Sequence, residues 1–241
     1  MKRTERRHLK DNELANLAKN AQRVLEQRSN QLTYIVVLVV VLLVAAIGYF
    51  TYNSSVQGRA GALLAEALTV DEARVGPPPA PGSPSVGLSF PTEREKNQTA
   101  LTKFKVVADQ YPTTSAGLFA RYRQATTYMA LGEPKSAAET FQQVVDRGGD
   151  GIYGQMARLG LAQAQAASGQ LDAAINAFKD LSTRKDGALP VDGILMQLGK
   201  AYLDAGKPTD AQQTFNRLVE EFPDSPFSGD ARRELDTLKK T

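Results

Sequence analysis

The chain has no cysteine and no tryptophan, and its single histidine is His8. The lack of cysteine excludes disulfide bonds, thiolate metal sites and cysteine nucleophiles. His8 lies in a cluster of basic residues without a partner pattern, so we expect it on the surface. These absences remove several common catalytic and metal-binding constellations.

The sequence also lacks the patterns of a catalytic site. The glycine-rich stretch Gly148–Gly151 has neither the lysine nor the preceding strand of a phosphate-binding loop. Pairs of acids such as Glu220 and Glu221 are typical of solvated helix ends. We therefore expect a protein that is not an enzyme and that needs no cofactor or metal.

Basic charge is concentrated at the start of the chain. Residues 1–31 carry eight Lys or Arg and four Asp or Glu, whereas the remaining residues carry 21 and 22. Such an arm suits anionic lipid headgroups or the orientation of a membrane segment, and does not indicate nucleic-acid binding. From Leu9 onward its weakly amphipathic pattern predicts a solvated juxtamembrane helix; a short dimerising or partner-binding coil is the alternative.

Residues 32–52 form an uncharged apolar run with Tyr34 and Tyr49 near its ends. About 21 residues suffice to cross roughly 30 Å of hydrocarbon as a helix. Arg28 closely precedes the run, whereas the first charge after it is Arg59. The positive-inside rule therefore predicts one transmembrane helix with its N-terminus in the cytoplasm. A cleaved signal peptide is the alternative, which the long segment before the run disfavours.

Two linking segments follow the run. Residues 53–70 begin with cap-type Asn53 and continue with apolar residues at helical spacing, which predicts a membrane-proximal helix. Residues 71–91 contain six prolines between Pro77 and Pro91. Because proline removes backbone donors, we expect a spacer loop there. A ligand for a proline-recognising partner is the alternative.

A period of 37 residues organises the rest of the chain, residues 92–241. Phenylalanines and glycines both recur at this interval, which indicates a solenoid built from one helical unit. The recurring residues are Phe104, Phe141, Phe178 and Phe215, with Gly132, Gly169 and Gly206. We expect the glycines in left-handed turns between two helices. We expect the phenylalanines in the core, on the second helix of each pair and away from any groove.

The best-preserved unit runs from Asp192 to Pro223 and resembles the tetratricopeptide repeat family. The matching residues are Leu198, Gly199, Tyr202, Ala211, Phe215, Leu218 and Pro223. The resemblance implies an α-solenoid of tetratricopeptide-like hairpins with a C-terminal capping helix over residues 228–240. Together with the single N-terminal transmembrane helix predicted above, this makes an all-α fold. Residues 53–70 would supply the first helix of repeat one.

The resemblance also implies a protein-binding groove lined by the first helix of each pair. The residues at the inward positions are Phe119, Tyr122, Arg123, Thr126, Met129, Met156, Leu159, Gln163, Met196, Gln197, Lys200 and Leu203. Three methionines belong to this set, and methionine adapts to varied apolar partners. The alternative is that these side chains pack against the adjacent helix.

The layout as a whole resembles the single-span ancillary subunits of the Sec translocon in the bacterial inner membrane. That resemblance implies a periplasmic repeat domain that associates with translocon subunits, a periplasmic chaperone or newly exported polypeptides. We therefore predict a non-enzymatic, chaperone-like adaptor or scaffold. The alternatives are an envelope-assembly or cell-wall scaffold, and a membrane-bound regulator that signals through the cytoplasmic arm.

Overall fold

The structure, a computed structural model, describes residues 29–77, 87–184 and 189–240. Most of the predicted basic arm, with its amphipathic helix, lies outside the described residues. The middle of the predicted proline-rich loop lies outside them as well.

The regular secondary structure of the described residues is helical apart from one pair of short strands. The helices are α1 (Ser29–Asp71), α2 (Glu93–Gln110), α3 (Ser115–Ala130), α4 (Pro134–Gly148), α5 (Ile152–Ala167), α6 (Leu171–Thr183), α7 (Val191–Asp204), α8 (Pro208–Glu221) and α9 (Ser228–Leu238). The strands β1 (Arg74–Val75) and β2 (Ser89–Phe90) pair in parallel. The chain divides into two compact units, Met1–Ser55 and Val56–Thr241.

The first unit contains the apolar part of α1. An 18-residue window of this helix has a mean hydropathy of 2.7, and none of the window is buried. Its large apolar side chains, from Tyr34 to Tyr52, are between 48% and 75% exposed. A helix of this length and composition can cross a membrane, although a signal sequence meets the same criterion.

Helix α1 continues past Asn53, where the sequence predicts a boundary between two helices. The cap-type residues Asn53 and Ser54 were expected to begin a separate membrane-proximal helix, yet α1 runs from Ser29 to Asp71 without interruption. Asparagine and serine tolerate helix interiors, and no proline occurs before Pro77. A cap-type residue marks the start of a helix only when its own backbone departs from helical geometry.

In the second unit, the end of α1 packs against α2. Ala67 and Val70 belong to the same buried cluster as Phe104. The Lys103 ammonium lies 3.2 Å from the Glu66 carboxylate, which links the outer faces of the same two helices. The last turns of α1 and helix α2 thus share one buried cluster.

Repeats two, three and four are the helix pairs α3–α4, α5–α6 and α7–α8, each with a glycine in the turn between its helices. Gly132, Gly169 and Gly206 have φ values of 77°, 83° and 68°, which confirms the expected left-handed turns. The residue after each glycine donates its N–H to a carbonyl five residues earlier, as Glu133 does to Tyr128 at 2.9 Å. This bond satisfies a carbonyl at the end of the helix that an α-helix leaves unpaired.

The four phenylalanines at the 37-residue period are at most 2% exposed. Two of these rings pack directly on a glycine. An ideal Cβ built on Gly199 would lie 2.3 Å from the Phe215 ring, and one built on Gly160 would lie 2.5 Å from the Phe141 ring, so a larger residue would collide with the ring. The C-terminal helix α9 buries Ala231 in the cluster of repeat four. The predicted all-α solenoid with a capping helix is confirmed.

Candidate protein-binding groove

The first helices of repeats two and three, α3 and α5, form the walls of a cleft of about 220 Å³. Six of the predicted groove residues line it: Tyr122, Thr126, Met129, Met156, Leu159 and Gln163. Phe141, Gly160 and Leu189 complete the lining. The structure therefore brings together half of the predicted set at one junction between repeats.

Aromatic packing shapes this cleft. The ring of Tyr122 stands edge-on to that of Phe141, with centroids 5.7 Å apart and planes at 61°. Phe141 reaches the lining because Gly160 has no side chain where the phenylalanine ring lies. Phe141 was expected in the core, and it is buried there, but its ring also forms part of the cleft lining. It belongs to the second helix of repeat two, but it points into the space between repeats two and three.

The lining carries no charge at neutral pH. Burial raises the pKa of the Tyr122 phenol above its ordinary value, against the opposing effect of the nearby Arg123 charge. The Thr126 hydroxyl donates to the Arg123 carbonyl at 2.8 Å. Within the described part of the chain, the Gln163 amide has no partner. One polar group of the lining is therefore satisfied, and one is available to a ligand.

Two predicted residues of α3 are engaged elsewhere. The Arg123 guanidinium is paired with the Asp71 carboxylate and lies 5.7 Å from the centre of the Phe104 ring. The Phe119 ring packs 5.5 Å from the Tyr153 ring. Arg123 thus joins repeat two to the end of α1, and neither residue lines the cleft.

The predicted residues of repeat four do not line the cleft either. Met196 is 2% exposed and belongs to the core cluster of repeats three and four. Gln197 and Leu203 are half-buried, and Lys200 is exposed. For Met196 the structure shows the packing role that was the alternative to ligand contact. Met129 and Met156, by contrast, border the cleft.

Two lining residues were outside the predicted set for identifiable reasons. Leu189 lies in the loop before α7, where the 37-residue period exceeds the usual repeat and the pattern assigns no role. Gly160 occupies a first-helix position, but a glycine offers no side chain for a groove prediction. A buried glycine on a helix face is nevertheless a signal that another group approaches closely.

Among the residues that the structure describes, no group of three or more His, Cys, Asp or Glu could hold a metal ion. The lining is apolar except for one phenol, one hydroxyl and one amide. Such a surface can bury an apolar side chain and pair with a polar backbone group.

A family model described as "Tetratricopeptide repeat-like domain" matches residues 25–227. No curated protein matches significantly.

Several solved structures are similar in fold. The nearly identical TPR-like repeats of a Podosopora anserina kinesin light chain have a TM-score of 0.53 and 18% identity, and the match covers 61% of this chain and 80% of that one. A single-substitution variant of the same repeats has a TM-score of 0.54, 18% identity, and coverage of 61% and 79%. YrrB, a TPR protein with an unusual peptide-binding site, has a TM-score of 0.47, 20% identity, and coverage of 58% and 68%.

Proposed function

The chain belongs to the tetratricopeptide repeat-like domain family, and on that premise we propose that it is a membrane-tethered, non-enzymatic adaptor whose repeat array binds other proteins. The observation that carries the proposal is the uncharged cleft between α3 and α5. Six residues that the repeat pattern places on the inner face meet there. An apolar concave site with a few polar groups is the usual form of a binding site.

The membrane tether rests on α1. Its exposed apolar part is long enough to span a bilayer, and a side-chain surface of this kind is costly to leave in water. Positive charge lies close before the apolar run, whereas the first charge after the run is as distant as Arg59. By the positive-inside rule, this asymmetry orients the array away from the cytoplasm. In a bacterial inner membrane the array then stands in the periplasm.

The layout supports a more specific role as a chaperone-like adaptor beside the Sec translocon. An apolar cleft suits polypeptides that expose apolar segments, as newly exported chains do before they fold. Translocon subunits and a periplasmic chaperone are the expected neighbours, because the resemblance to ancillary translocon subunits includes the single span and the exported repeats.

Site-specific photo-crosslinking in intact membranes tests this proposal. A photoreactive amino acid in place of Gln163 samples the cleft, and the same amino acid in place of Lys179, which is exposed on α6, is the matched control. We expect crosslinks from the Gln163 position to exported polypeptides and translocon subunits, with few from the Lys179 position.

Other crosslinking partners would point to the alternatives. Cell-wall or outer-membrane assembly factors at the Gln163 position would favour the envelope scaffold. Equal crosslinking from both positions would show that the cleft is not the binding site. Partners that are captured only by the N-terminal arm would favour the membrane-bound regulator.

A further inference from the structure

Building on the proposed function, we propose that the cleft between α3 and α5 takes one bulky, uncharged side chain, aromatic or long aliphatic, from an apolar segment of a client polypeptide. The client is a protein chain with such a segment exposed. The array would therefore recognise single anchor residues and not an extended sequence motif.

The volume of the cleft fits one side chain. Sites for drug-sized molecules measure about 300–1,000 Å³, whereas an apolar cavity of about 150 Å³ suffices for benzene. At about 220 Å³, the cleft lies between these sizes. It has room for a phenyl ring or a leucine side chain with part of the attached backbone.

The 37-residue period explains why the cleft lies at this junction. The positions equivalent to Gly160 in the neighbouring repeats are occupied by Arg123 and Gln197. At the junction of repeats one and two, Arg123 lies over the Phe104 ring and is held there by Asp71. Gly160 has no side chain, so the Phe141 ring fills that position instead, and both residues form part of the cleft lining.

The charges around the cleft favour an uncharged occupant. The walls α3 and α5 contain no acidic residue, and their arginines are paired with carboxylates from other segments. The pairs are Arg121 with Asp109, Arg123 with Asp71, and Arg158 with Asp150. A charged client side chain would lose its hydration without gaining an unpaired opposite charge. An apolar side chain loses nothing of this kind.

The Gln163 amide supplies a polar contact beside the apolar lining. An amide side chain can accept from a backbone N–H and donate to a backbone carbonyl. Since peptide groups flank every anchor side chain, this contact adds affinity without selecting a sequence. Gln197 on α7 provides a matched control because it is also half-buried but lies outside the cleft.

The chain has no tryptophan, so a peptide with one tryptophan provides the only indole fluorescence in a binding assay. A Gly/Ser peptide with a central tryptophan is titrated with the full-length protein in detergent micelles. We expect the emission maximum of the tryptophan to shift to shorter wavelength as the peptide binds. Competing peptides differ only at the central residue. Phe and Leu should compete at concentrations at least about tenfold lower than Ala, and Asp and Lys should compete no better than Ala.

Two pairs of variants test the position of the contact. Met156→Glu places a charge in the cleft, whereas Ile152→Glu places one on an exposed site of the same helix. We expect at least tenfold weaker binding for the first and unchanged binding for the second. Gln163→Ala should weaken binding about threefold to tenfold, and Gln197→Ala should leave it unchanged. Circular dichroism checks that each variant is folded, and the Gln163 pair remains informative if Met156→Glu unfolds.

Equal competition by the Ala and Phe peptides would overturn the single-anchor inference, as would stronger competition by Asp or Lys. Binding that Met156→Glu and Gln163→Ala leave unchanged would also overturn it, while the adaptor function would stand on its crosslinks. A folded protein that binds none of the peptides would overturn it as well. If no partner polypeptide is crosslinked in membranes, the proposed function itself fails, whatever the peptides show.

Discussion

The three methionines of the predicted groove should separate into two classes when each is replaced by alanine. Met196 is 2% exposed within the core of repeats three and four. Truncation there removes buried contacts and leaves a cavity, so we expect Met196→Ala to cost about 2–5 kcal/mol of unfolding free energy. Met156 is half-buried at the edge of an open cleft, and its replacement should cost about 1 kcal/mol.

Urea unfolding of the full-length protein in a non-ionic detergent, followed by circular dichroism, measures the difference. For an m-value of about 2 kcal/mol/M, the expected loss for Met196→Ala lowers the midpoint by roughly 1 M or more. Met129→Ala is the control, because Met129 also borders the cleft and should behave like Met156. Peptide affinity should fall in Met129→Ala and Met156→Ala, whose methionines border the cleft, and should stay unchanged in Met196→Ala.

Equal destabilisation of the protein by Met156→Ala and Met196→Ala would contradict this prediction. A loss of peptide affinity in Met196→Ala at a constant unfolding midpoint would contradict it as well. The first result would mean that the cleft is closed in solution, and the second that Met196 is accessible to a ligand.

Two further predictions concern a turn and an ion pair. Gly206 has a φ of 68° and open space where a Cβ would lie, so Gly206→Ala should cost about 1–2 kcal/mol from backbone strain alone. Gly61→Ala, in an equally open helical site, should stabilise the protein by about 0.5–1 kcal/mol; equal effects of the two changes in the urea assay would contradict this. The hydrogen bond from Lys105, with a further contribution from Arg121, lowers the pKa of Asp109 in the folded chain. The resulting stability is present above about pH 4 and is lost as the pH falls through the folded pKa. Asp109→Asn should therefore reduce the difference between urea midpoints at pH 3 and pH 7, and an unchanged difference would count against this assignment.

The fold could be predicted from the sequence because its main determinant is repetitive. Phe215 and Gly206 recur with their equivalents at one interval, and the copies take the same structural role, the phenylalanines in the core and the glycines in the turns. Local signals were weaker guides to boundaries. Asn53 is a good capping residue, but capping also requires a local change of backbone direction, and α1 has none there.

The cleft could be predicted only in part, since a repeat pattern gives the face of a residue and not its depth. Tyr122 and Met156, which the pattern predicts on the inner face, line the cleft. Met196 has the same helical position as Leu159 one repeat earlier, yet it is buried while Leu159 borders the cleft. The difference depends on side chains of the adjoining repeat and on the loop around Leu189, and neither follows from the position within the repeat.

The parallel pairing of β1 with β2 has a consequence for the length of the segment between them. Residues 76–88 connect two strands that run in the same direction, and a parallel pair needs a return connection of about a dozen residues or more. Lengthening this connection costs little, since each doubling of a loop adds about 0.6 kcal/mol of closure entropy. Shortening it would separate the strands and remove Phe90 from the cluster that contains Phe104. Insertions between β1 and β2 should therefore be tolerated, whereas deletions there should destabilise the repeat domain.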